Sequence, residues 1–553
     1  MLQGRGCSKE HPLFFIFRNE FIKNYYFHSQ KKVMPKFPII ILFFSLFFLS
    51  QCTENTSISE AEASETGEGL SKIYCASCHT YPSPDLLDKK TWADFVLIRM
   101  GSFLGIYQDG NKYVDKMPSK WLEPGKGGER VKQAKIYPDK PALTVEQWQK
   151  ITKFYLEKAP ASIPSASAKT EIKIGIPFFK SKSFSQKKDI LPVVQAMAVD
   201  SKNKLVYATE LQGGVYKFNY QGKALEYLKG KSHIVDIEIE EDQFITLDMA
   251  SRYASDNPRG TFNISKSFHD FKQKKYEASL EKLMRPVSFT SGDLNGDETK
   301  DYVIAEYGNF LGRLAWWEGK GNGEFESHIL FADDGTIKAE IEDLNGDGKN
   351  DVIALHANSD EGIDWYINEG NNKFRRERKL RFPPTNGSTH FQLLDYDGDG
   401  EKDILYSNGD NGDYPPLLKP YHGIHLFLNK NGKYEESFFI PLNGVYQAEA
   451  VDFDQDGDLD IATVSFHPDF KNHPQEAFVI FINDGKNNFT AHTITQFEEG
   501  RWMRFVTADL DGDQDVDILL SAMNIKTPEV PKSVADKWAA ADNAIIFLEN
   551  ITK

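Results

Sequence analysis

Five segments of this 553-residue chain share one pattern, and no other feature restricts its fold as strongly. They read DLNGDETKD (293–301), DLNGDGKND (343–351), DYDGDGEKD (395–403), DFDQDGDLD (452–460) and DLDGDQDVD (509–517). Acidic or amide oxygens fall at positions 1, 3, 5 and 9, and the starts lie 50, 52, 57 and 57 residues apart. A period of this length means one supersecondary unit per repeat, stacked as a propeller or a solenoid. Each loop leads into an aliphatic run such as DYVIAEY or DVIALHA, then into an aromatic strand and a Gly/Asn turn, as in LAWWEGKGNGEF. Four short strands per unit is the pattern of a propeller blade. Two weaker units precede the clear ones, from VVQAMAVD at 193 and from HIVDIEIE at 233, which makes seven blades. The chain ends at NAIIFLENITK without a final strand, and TEIKIGIPFF (170–179) has the alternation to supply it and close the ring.

Oxygen-rich loops suit a hard cation, and calcium is the natural ion for carboxylate and amide ligands. The candidate ligands are Asp293, Asn295, Asp297 and Asp301; Asp343, Asn345, Asp347 and Asp351; Asp395, Asp397, Asp399 and Asp403; Asp452, Asp454, Asp456 and Asp460; and Asp509, Asp511, Asp513 and Asp517. The competing reading is a set of solvated turns, but turns alone do not require Asp at position 9 five times over. An EF-hand is excluded, because position 12 holds Ile304, Ala354, Tyr406, Thr463 and Leu520 instead of a bidentate carboxylate. With position 9 opening a strand, residues 286–550 resemble the FG-GAP/VCBS repeats of integrin-like propellers, and 170–285 extend the resemblance. It implies an all-β propeller over 170–553 and up to five Ca2+ ions. The loop ligands carry a formal charge of -18 against -16 for the chain, so the acidity is concentrated in them. That balance leaves no basic face for nucleic acid.

The chain holds four cysteines, Cys7, Cys52, Cys75 and Cys78, and none after residue 78, so no disulfide framework supports the long repeat region. Met34 to Cys52 has basic residues followed by an apolar run, Phe37 to Leu49, too short for a comfortable membrane span. Leu49-Ser50-Gln51-Cys52 resembles a bacterial lipobox with Cys52 as the lipidated residue, although Gln51 departs from the usual small residue. An uncleaved anchor is the alternative. Either one exports residues 1–52 as a signal and holds the protein at the cell envelope, in the periplasm or on the outer membrane. Residues 1–33 are odd upstream of such a signal, and Met34 as the true start would make Cys7 irrelevant. Residues 53–66 are small, polar and acidic, as in a flexible tether.

Residues 73–80 read IYCASCHT. Cys-x-x-Cys-His is the attachment signature of c-type haem, with two thiols for two vinyl groups and an imidazole for the iron. Cys75, Cys78 and His79 fill those positions. A redox dithiol wants a βαβ context and zinc wants a second ligand pair, and the chain offers neither. GLSKIY before the motif and LTVEQWQKITKFYLEKAP (143–160) resemble the first and last helices of a class I cytochrome c. Thr144 and Gln147 form a capping box there, and Trp148, Ile151, Phe154 and Tyr155 share one face. The resemblance implies a small all-α domain over 67–160 carrying one haem c, joined through the Pro/Ala/Ser linker 161–169. It also implies a methionine sixth ligand: Met117, which precedes a proline in a loop, or alternatively Met100.

A cytochrome c domain ahead of VCBS-type repeats resembles exported bacterial electron-transfer proteins. The expected partners are a redox protein of the envelope and the membrane, with a glycan or small molecule as a further possibility. A propeller that only docks partners, or a glycan-binding adhesion module, competes with a propeller that is itself a dehydrogenase feeding its own haem. For the dehydrogenase, Ser288, Lys338, His390, Gln447 and Arg504 form a polar column five residues before each loop, each followed by an apolar residue. Lys338, His390 and Arg504 would then bind an anionic or sugar-like substrate in the channel, with His390 as base, against the plainer reading of solvated channel residues. No phosphate-cradling loop, nicotinamide fingerprint or Ser/His/Asp arrangement supports a kinase or hydrolase.

Overall fold

A computed structural model describes residues 65–107, 125–164, 170–186, 189–230, 233–240, 243–412 and 416–552. Cys7, Met34, Cys52, the tether up to residue 64, and Met117 lie outside the described residues. Among the described residues, seven sheets are arranged as blades: blade 1 (194–228), blade 2 (234–283), blade 3 (286–331), blade 4 (336–381), blade 5 (388–441), blade 6 (445–493) and blade 7 (502–550). The first strand of each blade adjoins the first strands of both neighbouring blades, which closes the innermost ring. Each first strand carries a register shift at the same place, for example between Thr336 and Lys338 and between Ser388 and His390. The blades stack through apolar side chains; Phe453, Phe478, Trp502, Phe505, Ile518 and Ile546 fill the space between blades 6 and 7.

Ring closure corrects one expectation. The outer strand of blade 7 is Phe179–Gln186, paired antiparallel with the C-terminal strand Asn543–Asn550. The stretch at 170–179 does something else: Ile172–Ile174 runs parallel to Thr490–Thr493 as a fifth strand on blade 6. Alternation alone could not separate the two, because FKSKSFSQ alternates as well.

The region before the linker is helical. Helices α1 (Gly67–Tyr74), α2 (Leu97–Phe103) and α4 (Val145–Lys158) enclose a core of Leu70, Trp92, Leu97, Trp148, Ile151 and Tyr155, and a further helix, α3, spans Lys126–Gln133. The expected capping box is present: Thr144 accepts from Gln147 N at 3.2 Å and Gln147 Oε1 accepts from Thr144 N at 2.9 Å. Helix α1 crosses α4 so closely that a Cβ on Gly67 would stand 2.3 Å from Lys150 O, so only glycine permits this crossing. No described helix is long and apolar enough to cross a membrane.

The helical unit packs on the loops opposite the acidic ones. Tyr421 Oη donates to Leu86 O at 3.2 Å, and Leu417 packs against the helical core. Farther round, the Phe310 ring lies 5.7 Å from Tyr137 and 6.1 Å from Phe103, with the Arg99 guanidinium 5.9 Å away.

Blade 6 contains a pH-sensitive pair. Glu476 is fully buried and both its oxygens accept from Asn443 Nδ2, at 3.1 and 3.0 Å, while Asn443 Oδ1 has no partner. Burial pushes Glu476 from its ordinary 4.5 up to about 7, and Glu361 likewise. Between those values the folded chain holds protons that the unfolded chain has lost, so stability falls as pH rises from about 4.5 through 7. Denaturation midpoints should drop across that range, and Glu476→Gln should flatten its share of the slope.

Candidate functional site

The oxygen-rich loops share one backbone. Positions 4 and 6 have positive φ in every copy, as at Gly346 (72°) and Gly348 (81°) or Gln455 (59°) and Gly457 (96°). The position 1 carboxylate caps this turn; Asp343 accepts from the amides of Gly346 and Gly348, each at 2.8 Å. The position 5 carboxylate accepts from the amide of position 7, as Asp399 does from Glu401 at 2.9 Å. These bonds pull successive carboxylates together. One oxygen each of Asp395, Asp397 and Asp399 falls within a 4.8 Å cluster, as do those of Asp452, Asp454 and Asp456, and of Asp509, Asp511 and Asp517. In blade 6, Asp452 Oδ1 is buried and has no hydrogen-bond partner. An all-oxygen donor set with an orphaned carboxylate oxygen fits a calcium ion.

Position 9 has a second reason to be Asp. Its carboxylate is buried and bridges two backbone amides, that of position 2 and that of the residue ending the third strand. Asp301 accepts from Leu294 N (2.9 Å) and Gly319 N (2.8 Å); Asp403 from Tyr396 N (2.8 Å) and Asn429 N (2.7 Å); Asp517 from Leu510 N and Asn550 N (both 2.8 Å). Asp351 and Asp460 do the same. Burial, with nearby loop carboxylates adding to it, pushes Asp460 and Asp517 up to about 7. Spacing had pointed only to a ligand here; the strand-locking role depends on the third strand.

The polar column lies on the innermost strands, and blade 2 adds Asp236, which its degenerate repeat had hidden. Most of the column is committed to the next blade. Asp236 accepts from Phe289 N (3.4 Å), Ser288 donates to Ile337 O (2.8 Å), Lys338 donates to Phe391 O (2.7 Å), and Gln447 bridges Phe505 O (3.0 Å) and Phe505 N (3.2 Å). Lys338 Nζ also meets His390 Nε2 at 3.1 Å and Glu340 at 2.8 Å, so its three protons are all taken. Burial, with Lys338 and Arg504 nearby, holds His390 well below the usual imidazole range. The imidazole is therefore neutral, and its Nε2 accepts a hydrogen bond from Lys338. Arg504 stacks 5.7 Å from Tyr446. This pattern is that of clasps between blades.

In the helical unit, Cys75 follows α1 directly and both Cys75 and Cys78 are free thiols. Cys75 is buried and Cys78 exposed; burial pushes the Cys75 thiol up to about 12. His79 is buried, and its Nδ1 lies 2.8 Å from Thr80 O. That bond makes Nδ1 the donor, so Nε2 carries the ring's lone pair. Burial also lowers the His79 pKa, which favours the neutral ring. Thr80 Oγ1 is buried without a partner. Two free thiols, an oriented neutral imidazole and an orphaned hydroxyl within six residues fit a covalently held haem. Met100 packs against the same core as Cys75.

The fold is a seven-bladed β-propeller. Residues 343–406, from the blade 4 loop through the second strand of blade 5, match the FG-GAP-like repeat family. Among solved structures, Sqt1 of Saccharomyces cerevisiae is 8% identical, covering 69% of this chain and 98% of that one with a TM-score of 0.39. The Dos1 propeller is 9% identical, covering 65% and 77% with a TM-score of 0.38. No curated protein matches the chain.

Proposed function

We propose that this is a haem c electron-transfer protein of the bacterial cell envelope, with a calcium-stabilised propeller as the platform for its partner. The observation that carries the reading is the Cys75-x-x-Cys78-His79 segment, with free thiols and an imidazole whose Nδ1 is held by Thr80 O. Cys75 and Cys78 would hold the haem covalently, and His79 Nε2 with Met117, or alternatively Met100, would be the ligands of its iron. A bound haem supplies one-electron chemistry; the chain positions it, shields His79 from water and leaves the Cys78 side exposed. Cys52 would tie the chain to the membrane. The five loops would hold calcium, which offsets the repulsion among their carboxylates.

The test is maturation of the full chain in a bacterial host that attaches c-type haem. One haem per chain should survive denaturing electrophoresis and give a c-type pyridine haemochrome spectrum. Cys75→Ser with Cys78→Ser should abolish covalent haem, and His79→Ala should remove the low-spin spectrum. Loss of the methionine–iron band in Met117→Ala but not Met100→Ala would assign the sixth ligand. A fully matured preparation without covalent haem would overturn the proposal.

A further inference from the structure

The five loops differ in what faces their carboxylates. The residue after each strand-locking amide differs from blade to blade. In blade 5 that residue is Lys430: Asn429 N donates to Asp403, and the Lys430 ammonium meets Asp397 at 2.8 Å and Asp399 at 3.2 Å. Blade 3 also has a lysine, Lys320, whose charge acts on Asp297 but whose ion pairs go to Glu318 (2.7 Å) and Glu326 (2.8 Å). Blades 4, 6 and 7 place Glu369, Asp484 and Ile551 there. In blade 4 Lys349 meets one loop carboxylate, Asp347, at 2.7 Å. Among the described residues, no cation pairs with Asp452, Asp454 or Asp456 in blade 6, and Asp452 Oδ1 is buried without a hydrogen-bond partner.

We infer that Lys430 is a built-in counter-cation of the blade 5 loop, bridging Asp397 and Asp399 so that this loop closes without calcium and takes the ion only by displacing the ammonium. This rests on the calcium reading of the loops. It makes blade 5 the weak site and blade 6 a site that depends on the ion. A loop with its own cation keeps one blade ordered when calcium is scarce.

The experiment compares the calcium-stripped full chain with Lys430→Met and Lys430→Arg. In chelator, Lys430→Met should melt below wild type, while Lys430→Arg should stay close to it. Calcium titrated by calorimetry should bind one site of Lys430→Met more tightly, roughly threefold or more, since displacing an exposed ion pair costs little. Added calcium should then erase the melting difference. Equal melting of Lys430→Met and wild type in chelator overturns the inference, as does an unchanged calcium isotherm. If wild type takes up no calcium at all, the calcium reading fails, and melting in chelator alone decides whether Lys430 stabilises the loop.

Discussion

Asp517→Ala is expected to cost about 3 kcal/mol of unfolding free energy, because it leaves two buried amides unpaired. Those amides are Leu510 N, in the last oxygen-rich loop, and Asn550 N, at the end of the C-terminal strand. The second matters more than its distance suggests. Asn550 ends the strand that pairs with Phe179–Gln186, and its Nδ2 donates to Phe453 O of blade 6 at 2.8 Å. Releasing it therefore loosens both ring closure and the contact between blades 6 and 7. Asp517→Asn keeps one acceptor oxygen and should lose about half as much. Measurement in chelator, by urea denaturation followed through tryptophan fluorescence, separates this role from any ion held by the loop. A loss seen only with calcium present would make Asp517 a ligand and nothing more.

Phe310→Ala should release the helical unit from the propeller. The ring sits among Phe103, Tyr137 and Arg99, and its loop is held by a fully buried carboxylate. Asp256 accepts from three successive amides, Asn309 at 3.0 Å, Phe310 at 2.8 Å and Leu311 at 2.9 Å. Removing a half-buried aromatic ring costs about 2 kcal/mol, roughly thirtyfold in the docking equilibrium. Hydrogen exchange should rise in 97–103 and around 307–312, with the blade cores unchanged, and small-angle scattering should show a more extended particle. Asp256→Asn, which weakens the clamp and keeps the ring, should have a smaller effect in the same segments. Unchanged exchange on both sides would mean that Tyr421 and Leu417 hold the helical unit without help from Phe310.

The repeated loop was readable because its chemistry is local. Positions 1, 3, 5 and 9 lie within nine residues, and the turn that gathers them needs only left-handed φ at positions 4 and 6. The capping box at Thr144 is local in the same sense, and so is the Cys-x-x-Cys-His segment. Blade number followed from counting repeats. Even the column from Ser288 to Arg504 was found by register, since every first strand enters its loop at the same offset.

What those residues touch was not readable. Lys338 could not be known to spend its protons on Phe391 O, His390 and Glu340, because the first two belong to the next blade. Asp236 fell outside the count because blade 2 lacks the loop that marks the register. The closing strand moved from 170–179 to Phe179–Gln186 because its partner is more than 350 residues away, and alternation says nothing about which edge a strand will meet.

Taken alone, the amino-acid order determined the repeating unit, the number of blades, the oxygen-rich turns and the thiol–imidazole segment, all set by bonds spanning a few residues. Tertiary structure decided where the ring closes, that most of the polar column bonds to neighbouring blades, that Lys430 pairs with two loop carboxylates while Lys320 pairs with Glu318 and Glu326, and that Phe310 receives the helical unit. Each of these depends on which distant surfaces become neighbours once the blades stack. Burial then sets the strength of those contacts, through the cost of leaving a polar group unpaired away from water.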